Sequence, residues 1–264
     1  MKTSDFQEDV IIKEGEFKDF FPDLLDSAEP YLKNHFGIDS IPVYSVERRA
    51  KGLFRAVNVI KIKDMFYVFR AFEKNPPNLK LATFDRAVYH VERAESLLKM
   101  GRFYPETLIF DDKEHVYIMH EFLYYPICKF KTSKEVKELF NLQLAASIAG
   151  LFLDFNQNHW LYDKREEQLY YVDKDLVTND LSFEEAVVSN FSQSLLFLRN
   201  DNYPYYIEAL KSLKDGENAN TIKFVQIIME KLENNIEDLE KRVKTKIVEE
   251  RLKIYYEMIE QLTT

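Results

Sequence analysis

The apolar residues of this chain change period along its length, and the order of that change restricts the folds it can adopt. Runs rich in β-branched and aromatic residues occupy 43–46, 53–62 and 65–72, parted by the turn residues Ala50-Lys51-Gly52 and Lys63-Asp64. This is the pattern of a three-stranded antiparallel meander. After a loop at Lys74-Asn-Pro-Pro-Asn78, residues Ala87, Val88, Val91, Ala94, Leu97 and Leu98 form one stripe of a helix over 84–100, stopped by Gly101. Strands over 106–110 and 115–122 follow, joined by Asp111-Asp-Lys-Glu114. From Ser133 the period is helical: Val136, Leu139, Phe140, Leu142, Leu144, Ala145, Ile148 and Leu151 line one face of 135–153, and 181–199, 205–213 and 222–262 read the same way. In front of the strands, 17–36 reads as two short helices interrupted by Pro22 and Pro30, with Gly37 at the end of the second. The expected class is α+β, sheet first and helices second.

With 264 residues, 46% of them hydrophobic, the chain can fill one large core or two lobes. A net charge of −9 argues against a general nucleic-acid binder, which needs clustered cations to neutralise phosphate. Six glycines leave little material for a glycine-rich nucleotide loop, and one cysteine, Cys128, builds neither an internal disulfide nor a cysteine-based zinc site. The first residues lack the apolar centre of a signal peptide, and no run of about 18 apolar residues exists to span a membrane. A cytoplasmic protein with no membrane or nucleic-acid partner is expected.

One helical interval contains a second short β pattern. Residues 159–162 and 169–172 are strand-like, and Asp163-Lys-Arg-Glu-Glu-Gln168 between them is turn-forming, so 159–172 reads as a hairpin. It is bracketed by carboxylates, Asp154 before it and Asp173 and Asp175 after it. Acids at strand ends on one edge of a small sheet can hold a divalent cation or take a proton from a hydroxyl; the alternative is that all three are solvated loop residues.

Three strands, a helix, two strands, helices, an acid-flanked hairpin and more helices make an order that resembles the protein-kinase-like superfamily over roughly 42–215, in a divergent form. The resemblance implies a bilobal α+β fold. A helical preface over 1–40 would precede a five-stranded antiparallel N-lobe over 41–125, and a mainly helical C-lobe over 126–264 would carry a long C-terminal helical segment. It implies ATP and Mg²⁺ as cofactors. Asp154 takes the place of the catalytic base, and five residues on, where the family has a metal-binding Asn, stands His159, or Asn158 with a shift of one. Asp173 matches the metal-binding aspartate after the hairpin, with Asp175 two residues further. Tyr67-Val-Phe-Arg70 stands where the family has V-A-I-K, so Val68 would cover the adenine and Arg70 reach the phosphates, paired with Glu92 or Glu95 of the following helix. Glu121-Phe122-Leu123 falls at the hinge, where backbone groups meet the adenine, with Tyr124, Tyr125 and Pro126 beyond it.

The chain also departs from the family. Arg replaces Lys, a wider planar fork in place of a point charge. Arg48-Arg49-Ala50-Lys51-Gly52 replaces the glycine loop, and its cations either contact phosphate or form a solvated turn. A neutral imidazole at His159 is a poor Mg²⁺ ligand. The residues before Asp154 are Phe152-Leu153, and Asp154 reads equally as the last turn of the preceding helix. Two functions follow: an ATP- and Mg²⁺-dependent phosphotransferase acting on a protein or small-molecule hydroxyl, or an inactive pseudokinase serving as a nucleotide sensor or interaction scaffold; outside the resemblance, a third is an unrelated α+β interaction protein whose acidic hairpin is surface.

At the C-terminal end, Val225, Met229, Leu232, Ile236, Leu239 and Val243 step as a heptad seam, resumed at Val248, Leu252, Tyr255, Ile259 and Leu262. Either one long helix shifts its buried face between 243 and 248 or two helices meet near 244–246; with no Pro or Gly there, one continuous helix is favoured. Its role is packing on the C-lobe or, as a coiled coil, contact with a protein partner or a second copy.

Overall fold

The computed structural model describes residues 10–14, 21–50, 53–73, 107–111, 115–153, 159–172, 181–216 and 218–264. The chain divides into two compact units, Met1–Glu92 with Phe103–Ile127 and Arg93–Arg102 with Cys128–Thr264. The expected helix over 84–100 lies outside the described residues.

Among the described residues, the first unit is a six-stranded antiparallel sheet with one helix, α1 (Phe21–Phe36). The strands are β1 (Val10–Glu14), β2 (Val43–Ala50), β3 (Leu53–Ile62), β4 (Met65–Glu73), β5 (Thr107–Asp111) and β6 (His115–Glu121), in the order β1-β2-β3-β4-β6-β5. The expected N-lobe sheet of five strands is therefore corrected to six, because β1 adds to the open edge of β2, Val10 opposite Arg48 and Glu14 opposite Tyr44. The region before residue 40 is not wholly helical, and α1 is one helix where two were expected. Pro30 lies inside it, and Asp26, whose carbonyl loses its N–H partner, is exposed, so water can take that place. What holds α1 is burial: Ala28 and Leu32 pack on Ile60, Ile62, Phe69, Tyr117 and Met119, with Phe69 stacked on Tyr117. Alternation sends Val59 and Val68 to a separate cluster with Phe122, edged by Tyr44, Phe66 and Tyr124.

The second unit carries α2 (Ser133–Ile148), the hairpin β7 (Trp160–Asp163) and β8 (Gln168–Tyr171), then α3 (Phe183–Ser194), a 3-10 turn, α4 (Tyr203–Lys214), α5 (Ala219–Glu240) and α6 (Lys246–Thr263). Phe140 of α2 lies at its centre, in ring contact with Phe191 of α3, Tyr206 of α4 and Phe224 of α5. Of the two readings of the C-terminal segment, the structure has two helices and not the favoured continuous one. Thr245 caps α6 by accepting from the Val248 N–H, so a break forms without Pro or Gly. The heptad seam is buried within the unit itself at Val225, Leu232 and Ile236, while Val243 is 84% exposed. Tyr203 Oη donates to Glu257 and Lys211 Nζ to Gln261, tying α4 to α6. Among the described residues no helix is long and apolar enough to cross a membrane.

Candidate functional site

The hairpin folds as its sequence demands. All four residues of β7 are buried, whereas β8 alternates, with Leu169 and Tyr171 inside. Trp160 pairs with Tyr171 across the ladder and meets it at 4.9 Å between ring centroids, with Phe130 at 6.2 Å. Asp163 is buried, and its Oδ1 accepts from the N–H groups of Arg165 and Glu166 at 2.8 and 3.4 Å. Its carboxylate shapes the turn. Lys134 of α2 pairs with Glu167 of that turn.

The hairpin stands on a polar anchor that the apolar pattern alone did not reveal. α2 stops at Ile148, and Gly150 turns the chain with a φ of 68°. Asn190, buried on α3, then takes hold of the departing strand. Its Oδ1 accepts from the Leu153 N–H at 2.8 Å, and its Nδ2 donates to the Leu151 carbonyl at 3.0 Å and to Ser147 Oγ at 3.3 Å. Gln143 of α2 donates to the Asn190 carbonyl at 3.0 Å. One signal was present in the sequence: Asn190 falls on the buried stripe of α3 with Ala186, Val187, Phe191 and Ser194. A polar residue in such a stripe has to find partners.

Two further backbone bonds fix where the acid-bearing segments leave and return. The Val172 N–H donates to the His159 carbonyl at 2.8 Å, and the Leu181 N–H donates to the Gly150 carbonyl at 3.3 Å. The chain flanking 154–158 is thereby bonded to the chain flanking 173–180 at two points.

Of the expected site residues, His159 opens the hairpin, half-buried, its ring edge-on to Tyr171 at 6.2 Å. Asp154, Asn158, Asp173 and Asp175 lie outside the described residues, as do Glu92 and Glu95 and the cationic side chains of the 48–52 turn. Arg70 is in β4 opposite Ile118, and its side chain is outside the description. Val68 is buried in the sheet cluster that excludes α1, opposite Val59. Glu121 closes β6 opposite Tyr67, and Leu123 follows, both half-buried. Burial, then the Glu121 charge, pushes the Tyr124 hydroxyl up to about 12, so it stays protonated at neutral pH. Burial, with the Glu135 charge second, raises the Cys128 thiol well above its usual range, which removes it as a nucleophile. Among the described residues no group of three His, Cys, Asp or Glu side chains could hold a metal ion.

No family model matches the chain, and no curated protein matches it. Among solved structures it is similar to an aminoglycoside phosphotransferase from Alicyclobacillus acidocaldarius, with a TM-score of 0.40 and 11% identity over 82% of this chain and 89% of that one. It is also similar to WbdD, at 0.38 and 13% identity over 84% of this chain, and to WbdD crystallised with the kinase inhibitor LY294002, at 0.36 and 14% identity over 85%. The chain spans 55% and 61% of those two WbdD chains. Scores of this size do not by themselves establish a shared fold.

Proposed function

We propose that this chain is a divergent kinase-like phosphotransferase that uses ATP and Mg²⁺ to phosphorylate a hydroxyl. The observation that carries the reading is the pair of backbone bonds, Val172 to His159 and Leu181 to Gly150, which seat the stems of two acid-bearing segments together. In this reading Asp173 holds the metal, Asp175 or Asn158 supplies a further oxygen, and Asp154 accepts the proton of the attacking hydroxyl. The donor chemistry fits: carboxylate and amide oxygens are hard ligands suited to Mg²⁺, whereas His159 is not. Bound Mg²⁺ neutralises charge on the transferring phosphoryl group. Val68 offers an apolar surface to adenine, Glu121 and Leu123 offer backbone groups, and Arg70, paired with Glu92 or Glu95, offers charge to the phosphates.

Titration calorimetry with ATP, with and without Mg²⁺, tests the proposal. Asp173→Asn is expected to abolish the Mg²⁺-dependent part of binding. Asp154→Asn is expected to leave binding intact and remove transfer, because a base acts on the acceptor. A wild-type chain that binds no nucleotide with any divalent ion would refute the enzyme reading and leave the scaffold. Binding without transfer, unchanged by Asp154→Asn, is the pseudokinase outcome, which the imidazole of His159 at a metal-ligand position favours.

A further inference from the structure

Residues 237–253 include no buried side chain. They form the end of α5, the connecting turn and the start of α6, beyond Ile236 and Ile254, the last buried residues of the helical hairpin. At 1.5 Å of rise per residue, the tip stands roughly 10 Å past that core. Its acids, Glu237, Asp238, Glu240, Glu249 and Glu250, are exposed on the helices to either side, and the only charges on the turn between them are cations. Lys241, Arg242, Lys244 and Lys246 are all exposed, no acid lies between them, and the chain as a whole carries −9. Among the described residues none of these four cations is paired with a carboxylate. Between them, Val243 and Ile247 are 84% and 68% exposed. The Thr245 cap holds the turn in shape, and the nearest acid of α5, Glu240, accepts from Tyr256 Oη.

An ordinary protein partner needs about 800 Å² and about 20–30 residues on each side, more than the stretch 237–253 supplies. An anionic bilayer asks for less area: headgroup charge attracts clustered cations, and the layer just beneath accepts aliphatic side chains. We propose that the α5–α6 tip is a peripheral docking point for an anionic lipid surface, with the four cations at the headgroups and Val243 and Ile247 inserted among them. This inference is independent of the phosphotransfer reading.

Co-sedimentation of the full chain with phosphatidylcholine vesicles, with and without phosphatidylserine, tests it. Binding is expected only with phosphatidylserine and should weaken with salt. Lys244→Gln with Lys246→Gln should lower affinity on the order of thirty-fold, at about five-fold for each cation. Val243→Ser with Ile247→Ser should weaken it at unchanged charge, and neither pair should alter thermal unfolding. Absence of binding, equal binding to both vesicles, or binding that ignores all four substitutions would overturn the proposal. So would binding to a soluble polyanion such as heparin as tight as to vesicles and unaffected by the two serines, which would mark a generic anion site.

Discussion

Replacing Asn190 by leucine tests whether the anchor beneath the candidate site is as strong as its geometry indicates. Leucine has nearly the same shape and packs in the stripe, so the cavity contribution is small. The loss is polar. The Leu153 N–H and the Leu151 carbonyl lose their side-chain partner, in residues each only 1% exposed, while Ser147 Oγ loses one donor and keeps its own O–H to donate. A buried group left unsatisfied costs about 1–3 kcal/mol, so two together should destabilise by about 4 kcal/mol. For a unit of this size that is a drop in melting temperature on the order of 10 °C. Calorimetric unfolding measures the drop, and hydrogen exchange locates it: the Leu153 amide should lose protection ahead of the α5 amides. A loss below about 1 kcal/mol, in the range of an ordinary surface change, would refute the reasoning. Asn190→Asp separates donor from acceptor, since it keeps the bond from Leu153 and gives up the donation to Leu151.

Other outcomes can be checked independently. Ser182 caps α3 within a reciprocal bond set with Glu185, so Ser182→Ala should cost about 1 kcal/mol in urea unfolding. Ile236→Ala, at a buried seam position, should cost about 2–4 kcal/mol, and Val243→Ala, seven residues on in the same heptad spacing, should cost nearly nothing. Alkaline unfolding should begin above pH 10. Burial raises the Tyr206 hydroxyl strongly and, with nearby acids, pushes Tyr162 up to about 12, so between 10 and 12 the unfolded chain releases protons that the folded one retains, and stability falls as pH rises. A flat stability curve across that window, followed by phenolate absorbance at 295 nm, would contradict it.

The sequence carried the elements whose residues repeat a period for long enough. β2, β3 and β4, the hairpin and α2 are legible because side-chain alternation and turn residues agree there. β1 is a run of three β-branched residues among charges, too short to declare a period, and only the open edge of β2 makes it a strand. Pro30 argued for a break that tertiary burial of Ala28 and Leu32 overrides. Between α5 and α6 the opposite happened: a cap at Thr245 ended a pattern that lacked the usual Gly or Pro. For the candidate site, spacing alone pointed to the hairpin and its flanks. Asn190 was missed because an amide in an apolar stripe reads as a lapse until the carbonyls and amides it serves, thirty-odd residues away in sequence, come into view.

The paired stems at His159–Val172 and Gly150–Leu181 also bear on how this chain can diversify. Each segment that carries the acids begins and ends at a point already fixed by core contacts, so the entropy of closing it is settled by the scaffold. The Phe140 core and the Asn190 anchor are built from residues outside 154–158 and 173–180. Such an arrangement lets the composition of these segments change in a few steps, none of which has to pass through an unfolded intermediate.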